Sequence, residues 1–291
     1  MKSRKGILLA GGTGSRLFPI TNCMSKQLLP VFDKPMIFYP ITTLMEADIR
    51  NILIISSKEY LPLYKKLLGS GDKLGLEIDY LIQEEPLGIA HAILIGSSFL
   101  QDSPATLILG DNLFFGENLN QKLTKSNLNF NRSTIFSYEV KDPNRYGVVS
   151  YDSENKVIDI EEKPTNPKSN AAVTGLYFYD ENVVEKAKML NPSERGELEI
   201  TDLNNIYIKE GLMDVEQMGP GSAWFDTGTF ESLHEASAFI RSMQSRQLLK
   251  IGCPEETAWR KNWINDEELY KLALPTIKSG YGSYLLSLLG K

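Results

Sequence analysis

The sequence predicts an α/β fold of the Rossmann-like type, with a largely parallel central sheet and helices on both faces. Two observations carry this prediction. In the first half of the chain, short apolar runs alternate with helical patterns, which is typical of βαβ units. The first apolar run then ends abruptly in Gly11, Gly12 and Gly14, as a buried parallel strand does where it enters a tight turn.

The same alternation assigns the individual elements of the first half. Apolar runs predict four strands, at residues 7–10, 51–56, 77–82 and 105–109. The patterns between them predict three helices, at residues 35–47, 59–68 and 88–100. Pro40 is expected to kink the first of these helices or to lie in its opening turn, because proline cannot donate a helical hydrogen bond.

The chain becomes strand-rich from about residue 133. Short alternating segments predict strands at residues 134–140, 147–151, 157–161 and 173–179, a β-rich insertion that can form the second wall of a cleft. Helical patterns return at residues 182–190, 201–210 and 231–247. The apolar spacing within residues 254–291 predicts packed helices in the C-terminal segment.

Composition and charge limit the functions that this chain can have. Its 291 residues are 42% hydrophobic and 23% charged, which allows an ordinary globular protein with a large core. The net charge of −6 argues against binding to nucleic acid polymers or anionic membranes, so a phosphate ligand needs locally placed cations. Cys23 and Cys253 are too few for a disulfide framework. Because the first apolar run is too short for a signal peptide and no run reaches the length of a membrane helix, we expect a cytoplasmic protein.

The glycine-rich turn and the two cations that follow it predict a phosphate-binding loop. Gly11, Gly12 and Gly14 let backbone N–H groups approach anionic oxygens, and Arg16 and Lys26 add full charges. The spacing lacks the third glycine of a dinucleotide fingerprint and the Gly-Lys pair of a Walker loop. For the loop taken alone, the alternative is an ordinary glycine turn with a solvated arginine.

Five motifs, in order along the chain, resemble those of a known family. Together with the glycine loop they are similar to the signature of the sugar-1-phosphate nucleotidylyltransferases, and within that family to the branch that uses thymidine nucleotides. The resemblance covers essentially the whole chain. The motifs are Ser25-Lys26-Gln27-Leu28-Leu29-Pro30, Leu109-Gly110-Asp111-Asn112, Glu161-Glu162-Lys163-Pro164, Arg195-Gly196-Glu197-Leu198-Glu199-Ile200-Thr201-Asp202 and Trp224-Phe225-Asp226-Thr227-Gly228.

The resemblance also implies a division of the chain. Residues 1–250 would form the catalytic domain. Its nucleotide-binding part would take about residues 1–130, and its sugar-binding part about residues 131–228. Residues 251–291 would follow as a helical C-terminal appendage.

Asp111 and Asp226 are the candidate ligands of a magnesium ion. Asp111 follows a predicted strand, so it lies at the carboxyl end of the sheet, where open α/β sheets place their ligands. A carboxylate that faces a triphosphate needs a cation between them, and Mg²⁺ prefers carboxylate and phosphate oxygens. Asp226 is the second carboxylate by family resemblance. For each acid taken alone, the alternative is an ordinary turn or capping aspartate.

The resemblance assigns further residues to the two substrates. Glu162 would accept bonds from sugar hydroxyls, while Lys163 and Arg195 would hold the sugar phosphate. Gln27 would reach the ribose, and Gln83 would pair with the imide edge of a pyrimidine. The motif around Glu162 is, taken alone, also compatible with a charged surface turn. Four more residues would line the sugar pocket, and one would lie against the base: Tyr146, Gly147, Val173 and Tyr177 at the sugar, and Gly88 at the base. His91 and His234 are expected to be packing or surface residues.

These assignments imply a magnesium-dependent transfer of a deoxythymidylyl group from dTTP to glucose 1-phosphate, giving dTDP-glucose and pyrophosphate. The sugar phosphate attacks the α-phosphorus in line, so catalysis consists of positioning two anions and neutralising their charge. UTP would be a secondary substrate, because thymine differs from uracil by one methyl group. The alternatives are uridylyl or adenylyl transfer on the same fold, and a non-catalytic protein that senses nucleotide sugars. The expected catalytic residues are Arg16, Lys26, Asp111, Lys163 and Asp226.

The resemblance further implies a homo-oligomer, commonly a tetramer, with feedback through a second nucleotide site at a subunit interface. It also implies a role in deoxysugar synthesis such as that of dTDP-rhamnose. Glu255, Glu256 and Arg260 match the family pattern of the C-terminal segment. Pro220 departs from it, because relatives often carry an arginine there and proline offers neither charge nor N–H donor. The sequence therefore supports the feedback site only in part.

Overall fold

The computed structural model is organised around one mixed β-sheet. The structure describes residues 3–12, 14–154 and 156–290. The strands found in these ranges are β1 (Lys5–Leu9), β2 (Pro30–Val31), β3 (Lys34–Pro35), β4 (Asn51–Ser56), β5 (Glu77–Ile82), β6 (Ala105–Leu109), β7 (Leu113–Phe115), β8 (Ser133–Glu139), β9 (Gly147–Tyr151), β10 (Val157–Glu162), β11 (Ala171–Tyr179), β12 (Met213–Gln217) and β13 (Ala223–Phe225).

The helices of the described ranges connect these strands and close the C-terminal part of the chain. None of them is long and apolar enough to cross a membrane. They are α1 (Phe38–Glu46), α2 (Leu61–Leu68), α3 (His91–Ile95), α4 (Ser97–Leu100), α5 (Leu119–Leu128), α6 (Val183–Lys188), α7 (Ile200–Lys209), α8 (Phe230–Gln247), α9 (Pro254–Arg260), α10 (Asp266–Ala273) and α11 (Tyr281–Leu288).

The parallel half of the sheet confirms the predicted fold class. β6, β1, β4 and β5 are neighbours in that order and run parallel to one another. β1 lies at the centre of this half, with Ile7 in register with Leu53 of β4 and with Leu107 of β6. The strands predicted at residues 51–56, 77–82 and 105–109 have the predicted bounds.

The strand-rich half continues the same sheet with mainly antiparallel pairs, and β12 adds to β8 in parallel. β11 pairs with β6, and β8 and β9 pair with β11. Beside β6 lie only the last residues of β11, from Leu176 to Tyr179. The first part of β11 therefore extends past the carboxyl end of β6, which is the edge where a parallel sheet binds its ligands.

Alternating side chains of the central strands form two apolar clusters, one on each face of the sheet. Leu8 of β1 enters one cluster and Ile7 enters the other, and both are fully buried. The Leu8 cluster also contains α1 and the C-terminal helices, through Ala258, Leu269 and Leu285. The other cluster contains α3, α6 and α7. The helices thus cover both faces, as predicted.

Two local features depend on single residues. Pro40 is the third residue of α1, in the opening turn, where a helix needs no N–H donor. The single helix predicted at residues 88–100 is wrong, because α3 and α4 meet at Gly96 instead of forming one helix. A Cβ on Gly96 would lie 2.8 Å from Cδ1 of Ile7, so glycine allows this segment to contact the central strand.

The sequence patterns missed α5 and the short strands β2, β3, β7, β12 and β13. α5 is mainly polar, so it has almost no apolar periodicity to detect. β7 and β13 contain three residues each and are stabilised by pairing with one another across a long stretch of chain. Local patterns cannot indicate such distant pairing.

The buried Arg4 guanidinium joins three segments at the amino end of the sheet. It is 4% exposed and donates to the carbonyls of Ala105 (2.9 Å) and Asn129 (2.8 Å), and to that of Tyr179. Burial lowers the pKa of Arg4 to about 10, which still leaves it charged at neutral pH. One buried cation therefore bonds main-chain carbonyls of three segments.

Replacing Arg4 with methionine is expected to lower the free energy of unfolding by about 3 kcal/mol, because buried carbonyls lose their donors. Urea unfolding followed by circular dichroism measures this change. Arg246→Met, at an exposed position of α8, is the matched control and should change the free energy by less than about 0.5 kcal/mol. A similar small change in Arg4→Met would contradict the assignment.

Candidate active site

The glycine loop leaves β1 at the carboxyl edge of the sheet and needs glycine for two different reasons. Gly12 and Gly14 have φ angles of 93° and 61°, in the left-handed region that glycine adopts without strain. At Gly11 the constraint is space, since a Cβ would lie 2.8 Å from Oε1 of Gln83. Thr13 lies outside the described residues.

Arg16 and Lys26 follow the loop on two short 3₁₀ helices, Ser15–Leu17 and Lys26–Leu28. The Arg16 side chain is exposed, and within the described chain no carboxylate pairs with it. Lys26 is nearly buried, and its Nζ donates to Oδ2 of Asp111 (2.6 Å) and to the backbone carbonyl of Asp226 (3.2 Å). One loop cation is thus available to a ligand, while the other holds two acidic segments together.

The two predicted metal ligands meet in this region although they come from distant segments. Asp111 is separated from the end of β6 by Gly110 alone, and Asp226 follows β13 directly. Oδ1 of Asp111 accepts a bond from Asn112 (2.9 Å), whereas Oδ2 of Asp226 accepts bonds from Arg145 (3.2 Å) and Tyr146 (3.1 Å). Burial, and then the charge of Asp226, raise the pKa of Tyr146 above its ordinary value, so its hydroxyl remains a donor.

A second charged group of the cavity contains Glu162, Lys163 and Arg195. Oε2 of Glu162 accepts a 2.6 Å bond from Thr201, and its Oε1 lies 3.3 Å from Nζ of Lys163 and 3.7 Å from Nη2 of Arg195. Arg195 also donates to both carboxylate oxygens of Glu199, at 2.9 Å each. The backbone of Lys163 has a φ of 46°, a left-handed conformation that is costly for a residue with a Cβ.

Gln27 supports the glycine loop from inside the protein. It is 3% exposed, and its Nε2 donates to the carbonyl of Gly11 (3.2 Å). Its Oε1 accepts bonds from Ser25 (2.7 Å) and Tyr64 (3.3 Å). The amide is therefore fixed by the protein, and its contact with a ribose stays a prediction.

One cavity of about 390 Å³ collects most of the predicted site residues. It lies at the carboxyl edge of the parallel strands and extends along the projecting part of β11. The predicted residues in its lining are Gly11, Gly12, Gly14, Arg16, Lys26, Gln27, Asp111, Tyr146, Gly147, Glu162, Lys163, Val173, Tyr177, Arg195 and Asp226.

A neighbouring cavity of about 360 Å³ shares Gly11 and Gly12 with the first and is lined by Gln83. Gln83 is 7% exposed, and its Nε2 lies 3.4 Å from Nδ1 of His91. The histidine therefore contacts a predicted site residue, although no catalytic role was expected for it. His234, in contrast, is exposed on α8.

Gly88 is placed differently from the other predicted residues. Among the described residues, it lines neither of the two cavities. Its φ is 100°, and a Cβ there would lie 2.4 Å from the carbonyl oxygen of Leu198. Glycine at this position lets the turn pack against the segment that carries Arg195, so its direct contact with a base stays a prediction.

Charges of opposite sign balance in the larger cavity. Among the residues that the structure describes, its lining contains five cationic and five acidic side chains, so their formal charges cancel. These side chains therefore give the cavity no net positive charge that would attract an anionic ligand. A metal cation that binds with the ligand would supply that charge. The charged residues are Arg16, Lys26, Arg145, Lys163 and Arg195 against Asp111, Glu162, Glu197, Glu199 and Asp226.

This arrangement can hold two anionic groups in one cavity. Loop amides and Arg16 provide donors at one place, and Lys163 and Arg195 provide them at another. A family model described as nucleotidyl transferase matches residues 5–243 of the chain. The chain belongs to the nucleotidyl transferase family. The family resemblance found in the sequence motifs is thereby confirmed.

Named relatives of this nucleotidyl transferase are similar over nearly their full length. A glucose-1-phosphate thymidylyltransferase of Neisseria meningitidis is 51% identical over 287 residues, which covers 99% of this chain and 100% of that protein. A glucose-1-phosphate thymidylyltransferase of Mycobacterium tuberculosis is 50% identical over 285 residues, covering 98% and 99%.

Solved structures show the same similarity. A Bacillus anthracis protein, provisionally named glucose-1-phosphate thymidylyltransferase and crystallised in complex with a sucrose, is 42% identical, with a TM-score of 0.75 over 82% of this chain and 96% of that one. UDP-glucose pyrophosphorylase complexed with UDP-glucose is 26% identical, with a TM-score of 0.72 over 82% and 99%.

Nucleotidyl transferases generally use a divalent metal ion. In the described parts of this chain, no group of three or more His, Cys, Asp or Glu side chains could hold one. Asp111 and Asp226 supply two carboxylates at the cavity, which are ligands that hard divalent cations prefer. These residues fit a cation that completes its shell with substrate phosphate and water.

Sequence reasoning missed several polar residues of this nucleotidyl transferase site. Asn112 is 3% exposed, and its Oδ1 accepts bonds from Trp224 (2.7 Å) and from the backbone N–H of Gly175 (3.0 Å). Arg145 contacts Asp226, and Thr201 contacts Glu162. Asn112 and Thr201 lie within quoted motifs and next to an acid, and Arg145 directly precedes the predicted residue Tyr146, so these positions were the available signal.

Proposed function

We propose that this protein transfers a deoxythymidylyl group from dTTP to glucose 1-phosphate and releases pyrophosphate. The observation that carries the proposal is the single cavity in which a glycine loop with Arg16 lies together with Glu162, Lys163 and Arg195. The names of the full-length relatives at about half identity support the choice of substrates. The relation to a protein crystallised with UDP-glucose supports a nucleotide sugar as the product class.

The reaction needs no nucleophilic side chain. An oxygen of glucose 1-phosphate bonds to the α-phosphorus of dTTP while the bond to the oxygen bridging the α- and β-phosphorus breaks, and that oxygen leaves with pyrophosphate. A phosphate monoester is largely dianionic at neutral pH, so no strong base has to activate it. The protein must align the two anions and neutralise charge at the reacting phosphorus.

On the nucleotide side, the loop amides and Arg16 would hold the phosphates. Arg16 is suited to this task because its guanidinium is exposed at the cavity and unpaired within the described chain. Lys26 would move part of its bonding from Asp111 to a phosphate oxygen. The cavity lined by Gln83 would receive the base, with the amide donating to and accepting from the imide edge.

On the sugar side, Lys163 and Arg195 would hold the attacking phosphate. Both already lie within 4 Å of Glu162, so each cation is kept in the cavity before the substrate binds. Glu162 would accept sugar hydroxyls, and its bond from Thr201 fixes the orientation of its carboxylate. The backbone of Lys163 is strained, which is consistent with a role that requires its side chain to point into the cavity.

Asp111 and Asp226 would hold Mg²⁺ at the cavity. When bound, Mg²⁺ supplies positive charge to the α-phosphate and to the leaving pyrophosphate. Lys26 and Tyr146 keep the two carboxylates within one region before the substrate arrives. The balanced charges of the lining support this assignment, because the metal adds the positive charge that the side chains lack.

The homo-tetramer and the role in deoxysugar synthesis stay predictions from the family resemblance, and so does the feedback site. Within the chain, Glu255 accepts a bond from Tyr281 (2.7 Å), and Glu256 accepts bonds from Arg260 (2.8 Å) and Tyr284 (2.6 Å). These residues of the C-terminal segment are therefore already engaged by their own subunit.

Arg16→Ala is expected to lower turnover by about two to three orders of magnitude, because a preorganised phosphate donor is lost. Pyrophosphate release at saturating dTTP, glucose 1-phosphate and magnesium measures it. Arg241→Ala, at an exposed position of α8, is the control and should leave turnover unchanged. Wild-type turnover in Arg16→Ala would remove this residue from the site.

Asp226→Asn is expected to raise the magnesium concentration for half-maximal activity at least tenfold while the thermal melting curve stays close to wild type, because an amide is a weaker ligand than a carboxylate. Titration of magnesium at fixed dTTP measures the shift. An unchanged titration curve would exclude Asp226 from the metal site.

Nucleotide preference tests the proposed reaction itself. With glucose 1-phosphate as acceptor, kcat/KM for dTTP should exceed that for UTP by about 10- to 200-fold, since one methyl group in an apolar pocket separates them. ATP and GTP should be poorer still. Preference for UTP would favour uridylyl transfer, and binding of dTTP without pyrophosphate release from any of the four would favour a sensing protein.

A further inference from the structure

Thr227, between Asp226 and Gly228, has an unexpected backbone conformation. Its φ is 39°, in the left-handed region that a β-branched residue adopts only under constraint from its surroundings. Glycine would take this conformation without strain, yet the chain has a threonine here. Such an outlier beside a candidate metal ligand calls for a physical reason.

The Thr227 side chain supplies that reason through one buried hydrogen bond. The residue is 0% exposed, and its hydroxyl donates to the backbone carbonyl of Asp111 at 2.7 Å. On its other side, the same oxygen lies 3.3 Å from Sδ of Met36. The residue that follows one candidate metal ligand is therefore fastened to the main chain of the other.

This bond complements the contact made by Lys26. Lys26 joins the carboxylate of Asp111 to the main chain of Asp226 from inside the cavity. Thr227 makes the connection through the main chain of Asp111, and among the described residues it does not line the cavity, although Asp226 and Gly228 do. The bond from Thr227 does not involve Lys26, so it would persist if Lys26 turned toward a phosphate as proposed.

We propose that Thr227 is a positioning residue that sets the separation of the Asp111 and Asp226 carboxylates for the divalent metal that binds with dTTP. The inference rests on the proposed function only in its assignment of the metal to these two acids. Thr227 touches neither substrate nor metal. Its effect would be transmitted through the backbone of both ligands.

The test measures how strongly a metal improves binding of dTTP, without any sugar phosphate. Calorimetry gives the dissociation constant of dTTP with EDTA and with saturating Mn²⁺, for the wild type and for Thr227→Val, Thr227→Ser, Thr227→Gly and Asp226→Asn. Valine keeps the size and branching of threonine but lacks the hydroxyl, so it isolates the hydrogen bond. Serine keeps the hydroxyl.

In Thr227→Val, the factor by which Mn²⁺ lowers the dissociation constant of dTTP should be about tenfold smaller than in the wild type. This is the change expected for the loss of one hydrogen bond. Binding of dTTP in EDTA should stay within about twofold of wild type. Thr227→Ser should recover most of the metal effect, and Asp226→Asn should lose it. If Thr227→Val does not fold, Thr227→Gly takes its place, because glycine removes the hydroxyl and also the backbone strain.

Thr42→Val is the matched control. Thr42 is buried in α1 and donates to the carbonyl of Phe38 at 2.7 Å, so the same substitution removes a bond of the same length away from the cavity. It should lower stability but leave the Mn²⁺ effect unchanged. A reduced metal effect in this control would show that loss of stability alone is responsible, and would overturn the proposal.

The remaining outcomes separate this inference from the proposed function. If Thr227→Val or Thr227→Gly folds and its response of dTTP binding to Mn²⁺ equals that of the wild type, the proposed role of Thr227 is overturned. The same follows if dTTP binding to the wild type does not respond to Mn²⁺. Pyrophosphate release from dTTP and glucose 1-phosphate is measured in a separate assay. A failure there overturns the proposed reaction while the metal effect on dTTP binding still decides the inference.

Discussion

The site depends on the Lys26 ammonium, which joins the carboxylate of Asp111 to the main chain of Asp226. Two acidic segments from different parts of the chain meet here in a partly buried cavity. Lys26 neutralises the carboxylate of Asp111, and Arg145 neutralises that of Asp226, which reduces the repulsion between them. The contact also fixes the end of β6 relative to β13, since each acid follows one of these strands. Lys26 thus holds the two acidic segments together in the absence of substrate.

The sheet topology explains why the cavity forms at this place. β1 and β6 end at the carboxyl edge of the parallel half, where the glycine loop and Asp111 follow them. β11 is antiparallel to β6 and continues past that edge, so Val173 and Gly175 project alongside the strand ends. The parallel half, proposed to bind the phosphates, and the antiparallel half, proposed to line the sugar side, therefore meet along the pair of β6 and β11.

The sequence predicted those parts of the site that depend on local pattern. Gly11 to Gly14 follow an apolar run, and Asp111 follows another, so both could be placed at a strand end from spacing alone. Asp226 could be placed only by family resemblance, because β13 is three residues long and is defined by its pairing with β7. The contacts of Asn112 and Thr227 could not be predicted, since they depend on which distant segments the fold brings together.

Two residues have strained backbones in this region: Lys163, which lines the cavity, and Thr227, which lies beside it. A left-handed conformation in a residue with a Cβ persists only where neighbouring bonds determine it. The N–H of Lys163 donates to the carbonyl of Tyr146, and Thr227 donates to Asp111, so each strained residue is fastened to another wall. Burial of the two apolar clusters on the sheet stabilises the fold and offsets the free-energy cost of these two conformations. The fold therefore maintains a geometry that the local sequence would not adopt by itself.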